Sequence, residues 1–257
     1  MPTITRHPVG SPCWVDLATP DAAAARRFYT ELFGWTYDIG GPEMGFYAMI
    51  RRGEDFVGGI GQPPPEMAMP AAWTVYLSTD DAAATLAAVQ AKGGKLLFGP
   101  MEIPGTGVQV VAVDPTGAVF GFWQAKPFIG ATVQGEVGSL AWCEVNTRRG
   151  DEARDFYAGI FGFTSTAMEG GIVYHTLHLD GVPRCGVLQM NERWPETIPP
   201  HWMVYFAVAN ADAAVARLRE LGGSVHMPPF DTPFGRIAVV ADPAGATFSL
   251  LQPPARG

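Results

Sequence analysis

The sequence predicts an α+β protein built from two tandem copies of one domain, each copy holding two βαβββ units. Three observations predict it. First, the chain repeats at a spacing of 128 residues: Phe28-Tyr29 and Leu32-Phe33-Gly34-Trp35 return as Phe156-Tyr157 and Ile160-Phe161-Gly162-Phe163. Second, Asp114-Pro115-Thr116-Gly117 returns as Asp242-Pro243-Ala244-Gly245 at the same offset, so register is kept across loops. Third, within each copy a helical apolar period is followed by short glycine-broken strands, and that pattern then starts again. Each copy exceeds a hundred residues, which is too long for a solenoid repeat and right for a domain.

The elements follow in order. Cys13–Ala18 alternates as a strand, and Thr19 or Asp21 offers a cap for a helix over Ala22–Phe33. Gly34 suits its C-terminal stop. Strands are expected at Thr36–Ile39, Gly45–Arg52 and Asp55–Gly61, then at Ala72–Ser78. A second helix runs from Asp80 or Asp81 to Lys92, ended by Gly93-Gly94. Strands at Lys95–Phe98, Val108–Val113 and Ala118–Gln124 close the copy, the last two joined by the Asp-Pro-Thr-Gly turn. The predicted boundaries are 8–124 for the first domain, 125–135 for a linker and 136–252 for the second domain.

Composition narrows the function. The chain has 257 residues, 47% apolar and 16% charged, enough for two domains that each bury a core. A formal charge of −8 opposes nucleic-acid binding, which needs a concentrated basic face. No apolar run approaches the ~20 residues of a membrane span, and the N-terminus lacks a signal-peptide pattern. The expectation is a cytoplasmic protein, monomeric or homodimeric. Cys13, Cys143 and Cys185 lack metal-like spacing and read as small buried residues. Gly58-Gly59-x-Gly61 lacks the strand-to-helix setting of a nucleotide loop.

Paired βαβββ units carrying the Phe-Tyr-x-x-Leu-Phe-Gly helix and Asp-Pro-x-Gly hairpins resemble the vicinal-oxygen-chelate superfamily of glyoxalase I, extradiol dioxygenases and bleomycin-resistance proteins. Trp14-Val15-Asp16-Leu17 and Phe33-Gly34-Trp35 are similar to a two-domain subgroup typified by a mycobacterial 27-kDa antigen, with relatives in actinobacterial antibiotic clusters. The resemblance implies two tandem glyoxalase-like domains, each a curved mixed sheet around a cavity. In metal-using members, one ligand lies fourteen residues before the motif Phe and another seven after the hairpin Asp. Here those positions hold Trp14 and Gly121, and Trp142 and Ser249; the strand opening the second unit offers Thr74 and Met203. A divalent ion needs three or four N, O or S ligands, which this set does not supply. The expectation is therefore no metal and no cofactor.

Period-two alternation instead puts Trp14 and Asp16 on one face with Tyr76 and Trp123; in the second copy Trp142, Glu144 and Asn146 share the equivalent face with Tyr205, and Leu251 stands where the first copy has Trp123. His175, which the 128-residue offset sets against Tyr47, is added as a ligand contact. Rings suit stacking on a flat organic molecule, and a carboxylate suits its hydroxyl or amine; the rings could equally be core filling. The first functional reading is a metal-independent protein that binds a small aromatic or polycyclic metabolite or antibiotic, for sequestration or as an accessory in secondary metabolism. The alternative is a tailoring enzyme (lyase, isomerase or epoxide-opening) with Asp16 or Glu144 as catalytic general acid or base. A third, metal-dependent glyoxalase or dioxygenase, requires the ligands the count fails to find.

Overall fold

A computed structural model describes residues 4–67, 69–168 and 170–254. The first copy contains β1 (Pro12–Ala18), α1 (Ala22–Phe33), β2 (Thr36–Ile39), β3 (Ala48–Arg52), β4 (Asp55–Gly61), β5 (Ala72–Thr79), α2 (Ala82–Ala91), β6 (Lys95–Ile103), β7 (Gly107–Val113) and β8 (Val119–Ala125). The second repeats it as β9 (Leu140–Thr147), α3 (Gly150–Phe161), β10 (Thr164–Ala167), β11 (Tyr174–Leu179), β12 (Val182–Gln189), β13 (His201–Ala207), α4 (Ala211–Glu220), β14 (Ser224–Thr232), β15 (Gly235–Ala241) and β16 (Thr247–Gln252). Each copy forms one eight-stranded mixed sheet, β2-β3-β4-β1-β5-β8-β7-β6 and its equivalent β10-β11-β12-β9-β13-β16-β15-β14. The two βαβββ units of a copy meet where β1 pairs antiparallel with β5, and β9 with β13.

Local chemistry explains most boundaries. Asp21, rather than Thr19, caps α1 by accepting from the Ala24 amide at 2.8 Å, and Asp81 does the same for α2. Gly34 and Gly162 end their helices at φ 73° and 75°, the left-handed conformation that glycine adopts without steric cost. Two expectations need correction. β3 begins at Ala48, because the amides of Gly45, Phe46 and Tyr47, the first residues of the predicted strand, bond back to the 3₁₀ turn Pro42–Met44 and to Gly41. β6 runs through Gly99-Pro100 to Ile103, well past the predicted end at Phe98. Proline is tolerated there because β6 is an edge strand, where its missing N–H costs no ladder bond on the open side.

The copies do not keep separate cores. One cluster of buried residues joins the odd-numbered side of β1 (Val15, Leu17), the inner faces of the helices and the matching residues of the second sheet. Trp35 and Trp73 of the first copy pack on Phe206 of the second, with ring centroids 5.2 and 5.1 Å apart. The repeated sequence motifs provide the polar fastening of this interface. Tyr29 Oη accepts from Trp73 Nε1 and donates across the copies to Asp242 Oδ2, both at 3.1 Å. Tyr157 Oη accepts from Trp202 Nε1 at 2.8 Å and donates to Asp114 Oδ2 at 2.9 Å. Each Asp uses its other oxygen to close its own hairpin turn: Asp114 Oδ1 accepts from the amides of Thr116, Gly117 and Ala118. The Phe-Tyr and Asp-Pro-x-Gly motifs thus serve assembly. Each sheet packs its helix face inward and leaves the opposite face, here called the site face, for other work.

Candidate functional site

Trp14, Asp16, Tyr76 and Trp123 lie on the first site face, as alternation predicts. Strand register sets Trp14 against Tyr76 and Tyr76 against Gly121. The rings lie down over glycines: a Cβ on Gly121 would collide with the Tyr76 ring, one on Gly59 with the Tyr47 hydroxyl, and one on Gly107 with Trp123. Tyr47 Oη accepts from Trp14 Nε1 at 3.0 Å, and Tyr76 Oη accepts from Gln109 Nε2 at 2.6 Å. Beneath them, Asp16 Oδ1 is buried without a hydrogen-bond partner. Burial pushes the Asp16 carboxyl up to about 7, with the neighbouring Tyr47 hydroxyl opposing the shift.

A segment absent from the sequence-based site covers this face. After β8 the chain crosses back over the sheet. Lys126 N and Phe128 N both donate to Thr106 O, and Ala131 N donates to Cys13 O at 2.8 Å. The Phe128 ring meets Trp14, Phe56 and Trp123 edge-on at 5.2, 5.4 and 6.1 Å, and its carbonyl accepts from Trp123 Nε1 at 2.8 Å. Trp14, Tyr76 and Trp123 are consequently buried, in a cluster of their own with Cys13 and Ala131.

The second site face has the same plan with different covering. Trp142 Nε1 donates to Tyr174 Oη at 2.8 Å, and the Tyr174 hydroxyl sits where a Cβ on Gly186 would go. Tyr205 Oη donates to Glu144 Oε1 at 2.7 Å. Burial raises the Glu144 carboxyl, and the Tyr205 and Tyr174 hydroxyls offset part of the rise. Trp142, Tyr174 and Tyr205 are half-buried, while Glu144 is buried under them. Asn146 is buried and faces His201 across the strand pair, Nδ2 to Nε2 at 3.2 Å. His201 Nδ1 lies 2.8 Å from the Pro199 carbonyl, which requires an N–H there and leaves Nε2 as acceptor for the amide. Asn146 Oδ1 has no partner, nor does Ser249 Oγ at the position where the family carries a metal ligand.

Of the predicted residues, Trp142, Glu144, Asn146 and Tyr205 therefore share the second face, and Trp14, Asp16, Tyr76 and Trp123 the first. His175 does not join them. Its ring turns to the helix side, with Nε2 3.5 Å from Asp151 Oδ1 on α3. The true counterpart of Tyr47 is Tyr174, because the chain between helix and strand is one residue shorter in the second copy. A one-residue slip sends a strand side chain to the opposite face. Tyr47, Tyr174 and Phe128 were missed; pairing each aromatic with the glycine it covers would have found the tyrosines. His7, close to the N-terminus, is buried, with Nε2 2.8 Å from Ala131 O.

The metal the resemblance implies does not fit. Indole, Thr and Gly, or indole, Met and Ser, stand at its ligand positions, and no group of three or more His, Cys, Asp or Glu among the described residues could hold an ion. The three cysteines are buried and free, and burial raises all their thiols, as expected of packing residues.

Comparison with known proteins agrees with this architecture. The profile of the Glyoxalase/Bleomycin resistance protein/Dioxygenase superfamily matches residues 12–122 and 139–250. The chain is 40% identical over 262 residues to the candidate glyoxylase CFP32 of Mycobacterium tuberculosis, covering 98% of both chains. It is 38% identical to the anthracycline biosynthesis protein DnrV of Streptomyces peucetius, covering 97% of this chain and 95% of that one. Among solved structures it resembles the Mn(II)-bound glyoxalase of Novosphingobium aromaticivorans at 18% identity and TM-score 0.67, covering 95% of this chain and 82% of that one. It also resembles the 2,3-dioxygenase LapB of Pseudomonas sp. KL28, at 15% identity and TM-score 0.66, covering 96% and 93%. At those identities the solved structures speak for the fold alone. Repeat, sheet order and profile converge on one assignment: the chain belongs to the Glyoxalase/Bleomycin resistance protein/Dioxygenase superfamily.

Proposed function

We propose that this protein binds a flat aromatic metabolite on its second site face without a metal, in a sequestering or accessory role in secondary metabolism. The observation that carries the reading is the replacement of donors by rings. Where the family places metal ligands, the second face offers Trp142, Met203 and Ser249, with Tyr174 and Tyr205 beside them. Half-buried aromatic rings held by hydrogen bonds form a rigid floor, and stacking on such a floor favours a planar molecule. Glu144 holds the Tyr205 hydroxyl and so orients that floor. Relatives named for anthracycline biosynthesis support a polycyclic aromatic as the ligand class. Protein treated with EDTA and titrated with 2,6-dihydroxyanthraquinone should show saturable quenching of tryptophan fluorescence. No response to this probe, or a response restored only by added metal, would overturn the reading.

One observation favours an enzyme instead. The Asp16 carboxyl, pushed up to about 7, has the proton affinity of a general acid or base at neutral pH. That reading requires turnover that vanishes in Asp16→Asn with the fold intact; turnover unchanged by the substitution sinks it.

A further inference from the structure

The two site faces descend from one repeat but are covered differently, and the cover of the first is chemically specific. Phe128 offers a benzene ring edge-on to Trp14, Phe56 and Trp123, and beside the ring a carbonyl oxygen that takes the Trp123 indole N–H at 2.8 Å. Phe128 is anchored by its neighbours rather than by its own side chain. Its amide and that of Lys126 share one acceptor, Thr106 O. Further along, Thr132 Oγ1 accepts from Phe56 N at 2.9 Å and donates to Asp55 Oδ1 at 3.0 Å, so the segment is tied at both ends of the ring. At Gly130 a Cβ would strike Cys13 O, so the chain lies directly on the sheet there.

We propose that the Phe128 ring is a ligand carried in cis: the first site face is a second aromatic-binding site, shaped for a flat ring, and the chain's own interdomain segment fills it. The backbone carbonyl of Phe128 keeps the Trp123 indole N–H occupied, so the space a planar ligand takes over is that of the benzene ring. An external ligand competes there against a group at very high effective concentration, so the site is silent in the intact chain. The second face has Leu251 where the first has Trp123 and takes its ligand by stacking on Trp142, Tyr174 and Tyr205. This inference rests on the binding function proposed above and adds a stoichiometry to it: one ligand per chain, with a second released by removing one side chain.

The test is a calorimetric titration of the full chain with 2,6-dihydroxyanthraquinone. The wild-type chain is expected to bind one equivalent. Phe128→Ala should bind two, and Trp142→Phe in that background should weaken one of the two by about tenfold, on the order of one stacking contact. Phe128→Leu, close in volume, should keep the space filled and bind one equivalent, while Phe128→Val, smaller but still apolar, guards against a folding failure and should bind two. Two equivalents in the wild-type chain, or one in both folded Phe128→Ala and Phe128→Val, overturns the inference and leaves the binding function standing. No binding by the wild-type chain overturns the binding function itself.

Discussion

On the first site face, Trp14, Tyr76 and Trp123 are buried under Phe128, and an acid with an unpartnered oxygen lies beneath them. On the second, Trp142, Tyr174 and Tyr205 remain half-buried, and the acid is satisfied by Tyr205. Duplication kept the strands, the Trp-x-acid pattern and the tyrosine over glycine. What separated the two faces is a short connecting segment and a handful of side chains. Rigid elements preserve where groups stand, while connections decide whether anything from outside can reach them.

Stability should report the contrast most strongly. Trp14→Ala removes a buried indole from contact with Phe128 and is expected to cost about 3–5 kcal/mol in chemical denaturation. Trp142→Ala, losing a partly buried ring, should cost about 1–2 kcal/mol. Equal costs would show that the two faces are equally packed and remove the distinction.

Asp16 supplies a pH-dependent measure of the first face. Its carboxyl titrates near 7 when folded and near 3.8 when unfolded. Below about pH 4 it is protonated in both states and costs nothing. As pH rises towards 7 the unfolded chain gives up the proton and the folded chain keeps it, so stability falls across that window and levels off above it. Asp16→Asn should therefore match the parent near pH 4 and be more stable near pH 7, by up to roughly 4 kcal/mol. A constant difference across pH 4–7 would mean that the carboxyl is solvated.

The interface between copies is the control, because there the two halves are alike. Tyr29→Phe and Tyr157→Phe each leave an indole N–H and an aspartate oxygen unpaired in a buried setting. Each should cost about 1–3 kcal/mol, and the two costs should agree. A large disparity would show that the fastening is not symmetric.

These contrasts were only partly legible in the sequence. The repeat and the strand periodicity are local or additive signals, and they delivered the fold, the face shared by Trp14 and Asp16, and that shared by Trp142 and Glu144. His175 failed because a face assignment depends on parity, and a single deleted residue between α3 and β11 reverses it. Phe128 was out of reach for a different reason. It lies in a segment with no periodicity, and its role comes from contacts with Trp14, Phe56 and Thr106, which only the folded chain brings together. The shared core was likewise invisible: apolar helix faces predict burial but not whether the partner is the same copy or the other.

The central claim is that an outside aromatic ligand meets the second face and not the first. Tryptophan indole N–H resonances in a ¹⁵N-labelled chain test it most directly, since the chain has 7 tryptophans and each face carries its own. Titration with 2,6-dihydroxyanthraquinone is predicted to shift the Trp142 signal and leave those of Trp14 and Trp123 in place. Shifts at Trp14 and Trp123 with Trp142 unmoved would contradict the account.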